Sequence, residues 1–161
     1  MPRIITQTVY TFEELSEEAK QKALENVRNS SLDAFGWAAE SRKSIEAFCE
    51  KFGVTLKTWS VGPWAPYEFS HDAQNANFRG VKLESIDVEE SLTGYCLDFV
   101  LLSKFKEHFK LSGDALGAFG VALEEGFREW RRDWEQANEG EPLAEFLQAN
   151  GYEFTESGER A

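Results

Sequence analysis

Apolar positions recur along this chain at two spacings, and the spacing changes from segment to segment. Residues 3–10, Arg-Ile-Ile-Thr-Gln-Thr-Val-Tyr, are rich in β-branched side chains and predict a first strand. Thr11 and Glu14 match a capping box over a short turn, and Ser16 is placed to cap a helix on which Ala19, Ala23 and Val27 share one face. A second helix is predicted over 32–52, with Phe35, Ile45, Phe48, Cys49 and Phe52 on its stripe and Gly53 as its stop. Strands are predicted at 54–61, 68–71 and 78–86, the last interrupted by Gly80. Helical periodicity returns over 95–110. It is strongest where Leu116, Phe119, Leu123, Phe127, Trp130 and Trp134 follow one another at steps of three or four. Pro142 suits the first turn of a further helix carrying Leu143, Phe146 and Leu147, and residues 152–155 alternate like a last strand.

This order predicts an α+β fold. Residues 1–156 form a single domain, a small antiparallel-rich sheet of about four strands with helices packed on one face, and 157–161 form a polar C-terminal tail expected to fray. With 161 residues, 42% of them apolar and 13 of them Phe, the chain has ample material for a core. No apolar run is long enough to span a bilayer and the start lacks a secretory pattern, so a cytoplasmic protein is expected. Cys49 and Cys96 each sit in an apolar run and are read as buried, reduced thiols, with a disulfide as the alternative.

Charge adds a second pattern. The net −12 is uneven: residues 1–60 and 101–135 are each near balance at −1, whereas 61–100 and 136–161 each carry −5. An acidic field repels nucleic-acid phosphate and attracts basic protein surfaces, so direct nucleic-acid binding is disfavoured and a basic partner is favoured. A charge that only keeps the chain soluble is the competing explanation.

The chain holds no Gly-rich phosphate loop and no nucleophile elbow, and Gly117 and Gly120 are read as letting another element approach closely. Its two histidines, His71 and His108, leave little for a metal site or a proton relay. An enzyme is therefore not expected, nor a cofactor or a metal. The one alternative is an unfamiliar site around His71 and Asp72. The charged run 124–135 contains Glu124 to Arg128 and Glu129 to Arg132 at helical pair spacing and reads as a solvated helix face. Two features suit a partner better. The loop bearing Trp64 and Tyr67 either folds these rings inward or presents them. The acids Asp87, Glu89 and Glu90, with Glu139, Glu141, Glu156 and Glu159, would form a one-sign patch if folding gathered them.

The run Tyr10-Thr11-Phe12-Glu13-Glu14-Leu15-Ser16-Glu17-Glu18-Ala19-Lys20 resembles the opening of many small phage and prophage accessory proteins. So, in the same order, do Leu56-Lys57-Thr58-Trp59-Ser60, Leu92-Thr93-Gly94-Tyr95-Cys96-Leu97-Asp98, Glu129-Trp130-Arg131-Arg132-Asp133-Trp134-Glu135 and Asn150-Gly151-Tyr152-Glu153-Phe154-Thr155-Glu156-Ser157-Gly158. The stretch 62–67 departs from that pattern. The resemblance carries no active site. It implies a phage or mobile-element gene, a context in which anti-CRISPR proteins block host defence complexes and in which some relatives are labelled antitoxins. The expected function is thus a phage-encoded inhibitor that binds a basic host protein or nucleoprotein surface, acting in the host cytosol. An antitoxin-like or regulatory protein partner is the alternative.

Overall fold

A computed structural model describes residues 2–29, 38–62 and 67–161. The fold is α+β, with four antiparallel strands and five α-helices among the described residues. The strands form two separate two-stranded sheets rather than one, β1 with β4 and β2 with β3. The chain divides into two compact units, one made of Met1–Ala34 with Glu135–Ala161 and the other of Phe35–Trp134.

In the first unit, β1 (Tyr10–Thr11) leads through a turn into α1 (Glu17–Asn29), and α5 (Gly140–Ala149) is followed by β4 (Glu153–Phe154). Local chemistry sets the start of α1. Glu14 Oε2 accepts from the Thr11 N–H at 2.8 Å and from its hydroxyl at 2.9 Å, and Ser16 Oγ accepts from Ala19 N at 3.2 Å. These bonds hold the Glu14 carboxyl below its ordinary value, the Thr11 N–H being the largest cause. Ala19, Ala23 and Val27 then bury the expected face against a core of Phe12, Leu15, Leu143, Leu147 and Phe154.

The first strand is much shorter than its β-branched sequence predicts. Antiparallel pairing matches Tyr10 to Phe154, so residues before Tyr10 would need residues after Phe154 as partners. The chain turns away there: Thr155 N donates to Glu159 O at 2.8 Å and Gly158 N to Thr155 O at 2.9 Å. The tail folds back onto β4. Arg160 bridges back to Phe154, Ala161 N donates to Glu153 O at 3.0 Å, and the Arg160 guanidinium lies 4.6 Å from the Tyr152 ring. Gly158 makes this return possible, with φ +84° and no side chain where a Cβ would overlap the Ala19 carbonyl oxygen. Gly158→Ala is expected to destabilise the chain by about 2 kcal/mol or more, read as a lowered denaturation midpoint.

The second unit contains α2 (Ala38–Lys51), β2 (Thr55–Ser60), β3 (Glu68–Asp72), α3 (Leu97–Ser112) and most of α4 (Ala115–Ala137). Its core joins Ile45, Phe48 and Phe52 of α2 and its end to Leu101, Leu102 and Phe105 of α3 and Phe119, Leu123 and Phe127 of α4. Phe48 and Phe119 stack with centroids 5.0 Å apart. The hairpin pairs Trp59 with Phe69 and Ser60 with Glu68, with an irregularity between Leu56 and Thr58. One side rests on α4 through Phe69, stacked 4.5 Å from Phe127.

Four expectations change in this unit. The segment 78–86 is not a strand, because its N–H groups close local bonds (Val81 to Phe78, Ser85 to Lys82, Ile86 to Leu83), with φ +81° at Gly80 and a 3-10 turn at Leu83–Ser85. Leu116 opens the periodic stripe of α4 yet is exposed, since the first turn of the helix meets the core through Ala115 and Ala118 instead. The glycine that admits a neighbouring element is Gly126, where a Cβ would lie 2.5 Å from Leu101 Cδ2, whereas Gly120 faces open space and Gly117 only the Asp114 side chain. Cys49 is buried, and burial, then Glu46, pushes its thiol up to about 12. Cys96 is exposed, because it precedes α3 rather than lying on its inner face, and both thiols are free. The part of the predicted second helix over 32–37 lies outside the described residues.

Candidate interaction surface

The acidic connector lies in the second unit, between the turn at Leu83–Ser85 and the start of α3. It is fixed along its length by bonds that leave its carboxylates outward. Ile86 is buried, and its carbonyl accepts from Lys106 Nζ at 2.9 Å. Asp87 Oδ1 accepts from Glu89 N at 3.0 Å, and Asp87 O from Glu90 N at 3.2 Å.

The far end is tied down by Asp98, on the first turn of α3. Its Oδ2 accepts from the N–H groups of Leu92 (3.0 Å), Thr93 (2.8 Å) and Gly94 (2.9 Å), and its Oδ1 from the Thr93 hydroxyl (3.1 Å). The Thr93 hydroxyl also lies 3.0 Å from that of Ser44 on α2. Burial by itself would raise the Asp98 carboxyl, but the donors from Thr93, Ser44 and Gly94 outweigh it and hold the group below its ordinary value. Asp98 thus supports the connector from beneath and is not displayed.

Of the connector acids, Glu90 is neutralised by Lys51 Nζ at 2.7 Å. Asp87 and Glu89 are exposed and make no ion pair among the described residues, and the same holds for Glu84. Glu84 belongs to the same run of acids, which the β-like pattern of 78–86 conceals in the sequence. Elsewhere the helices consume their charge locally: Arg128 pairs with Glu125 and Arg132 with Glu129. Glu124 does not take Arg128 as a direct partner at the expected i,i+4 spacing, because it accepts the Tyr67 hydroxyl instead.

In the first unit the acids of interest are divided. Glu139 pairs with Arg28 at 2.6 Å and Glu159 with Lys22 at 3.3 Å. Glu141 is exposed on the first turn of α5. Glu156 borders an open hollow of about 290 Å³ with Ser16, Glu18, Ala19, Lys22 and Ser157.

Tyr67 is half-buried, its ring stacked 6.4 Å from Phe69 and 6.3 Å from Phe127. The bond to Glu124 is the main cause holding its hydroxyl above its ordinary value. The ring is therefore part of the hairpin packing. Trp64 lies outside the described residues. Glu124 and Arg128, with Lys104, Val121, Gly117 and Gly120, border a second open hollow of about 550 Å³. His71 is exposed and lies 5.9 Å edge-on to Phe119, while Asp72 Oδ1 accepts from Gln74 N at 2.8 Å. The two side chains serve packing and a turn. No group of three His, Cys, Asp or Glu side chains is placed to hold a metal among the described residues.

The chemistry this surface offers is acceptance. Exposed carboxylates on a backbone held in one shape suit guanidinium and ammonium groups. Among the described residues no helix is long and apolar enough to cross a membrane. Comparison with protein-family models, with curated proteins and with solved structures finds no match to this chain.

Proposed function

We propose that this chain acts by binding a basic protein surface through its pinned acidic connector, and that it transforms no substrate. The observation carrying this reading is the contrast within segment 84–90. Four acids stand there with no base, Lys51 neutralises one of them, and Glu84, Asp87 and Glu89 remain exposed on a backbone fixed by Ile86, Lys106 and Asp98. A charge held in place before binding loses less entropy on association than one on a loose tail. The resemblance to phage accessory proteins points to the partner class: a host defence complex whose basic surface ordinarily holds nucleic acid, met in the cytosol, as anti-CRISPR proteins do.

The test is capture from host lysate at low and high salt, with identification of what elutes. The expected result is a basic nucleoprotein released by salt, because exposed ion pairs are screened within about 8 Å at physiological ionic strength. The triple variant Glu84→Gln, Asp87→Asn, Glu89→Gln is expected to weaken capture roughly tenfold, about 1.4 kcal/mol, and to flatten its salt dependence. Asparagine at position 87 retains an oxygen for the turn, so the fold is unaffected. Capture that ignores both salt and the triple variant would refute the electrostatic reading.

A further inference from the structure

The segment before β1 has the sequence of a strand and pairs with no strand among the described residues. Residues 3–8 form no hydrogen bond to any described residue, and Ile4 and Ile5 are 97% and 85% exposed. The turn at 155–158 and the buried Gly158 carry β4 away just where it would have covered this arm. An unpaired, β-branched segment with open backbone groups is a template for pairing with another chain.

Charge decides which chain. Two copies, each at −12, repel over most of their surfaces, yet the arm has no acid before Glu13 and carries the one charge of Arg3. It is therefore where two copies can approach with least repulsion. We infer that this chain self-associates through its arms, residues 3–9 of each copy pairing antiparallel about a twofold axis at Thr6. That register sets Ile4 opposite Thr8, Ile5 opposite Gln7, and Arg3 opposite Val9. Ile5 lies diagonal to the second copy's Ile5, on the face shared with Val9, where two apolar side chains from each copy meet. A symmetric pairing of this kind closes on itself and forms a dimer rather than a filament.

Sedimentation equilibrium of the full chain, from micromolar to millimolar, tests this directly. The expected result is a reversible doubling of mass that strengthens with added salt, as repulsion between like-charged copies is screened. This is opposite in sign to the salt response of a basic partner, so the two ideas fail separately. Thr6→Pro removes the central N–H and is expected to weaken the dimer at least tenfold. Its helical circular dichroism and thermal midpoint should stay unchanged, since the arm lies outside both cores. Thr6→Cys in a Cys96→Ser background is expected to form a disulfide-linked dimer on mild oxidation. A chain that stays monomeric throughout, or a dimer that survives Thr6→Pro or fails to cross-link at position 6, would overturn the inference.

Discussion

Phe119→Ala is expected to destabilise the chain by about 4 kcal/mol, the largest single loss among the substitutions considered. Phe119 is fully buried and stacks on Phe48, and the rings of Phe52, Phe78 and His71 lie 5.5 to 5.9 Å away. Alanine would leave a void bounded by side chains from α2, the segment after the hairpin, and β3, and these cannot all collapse inward together. Against a total stability of roughly 5–15 kcal/mol, such a loss leaves the second unit close to unfolding. Urea denaturation followed by tryptophan fluorescence should show a lower midpoint with little change of slope. Leu116, three residues earlier in the same periodic stripe, provides the contrast. Being exposed, Leu116→Ala should change stability by less than about 0.5 kcal/mol. Equal losses at the two positions would mean that the α4 stripe is buried as its period predicts and not as the structure places it.

Asp98→Ala is expected to cost about 3 kcal/mol, because it strands three backbone N–H groups that the carboxylate now satisfies. Asp98→Asn should cost less, since an amide oxygen can still accept, although its N–H₂ meets donors where the second oxygen accepted. The dependence on pH has a definite sign. The folded-state value lies below the ordinary 3.8, so the contribution is fully present above that value and fades as pH falls through the folded one. The stability difference between the native chain and Asp98→Asn, measured in urea at neutral and at strongly acid pH, should therefore shrink in acid. The alanine variant, which removes both oxygens, links the fold to the proposed function. Asp98 is buried beneath the connector, yet releasing residues 92–94 loosens it, so capture of a basic partner should weaken although no surface charge is lost.

Periodicity read the helices correctly where one face is continuously covered. In α1 and α5 the apolar steps of three and four coincide with Ala19, Ala23, Val27, Leu143 and Leu147, all buried. The hairpin was legible too, since β2 and β3 fall where β-branched and aromatic residues alternate between turns. The reading failed where a strand requires a partner that its own residues cannot announce. Segments 3–10 and 78–86 have β-like composition, but the first outruns β4 and the second spends its N–H groups in local turns. The same limit applied to the acids. Their positions were visible, but which of them remain unpaired was not, because Lys51 is 39 residues from Glu90 and Lys22 is 137 from Glu159.

By itself, then, the amino-acid order determined the helices, the inner faces of α1 and α5, the hairpin, the α+β class and the uneven negative charge. Each of these is a property of neighbours a few positions apart. Tertiary structure alone decided that the strands form two pairs, that Glu84, Asp87 and Glu89 make no ion pair among the described residues while Glu90, Glu139 and Glu159 do, and that Asp98 works beneath the surface. Pairing and burial are relations between distant segments, and their outcome depends on where the chain turns in space.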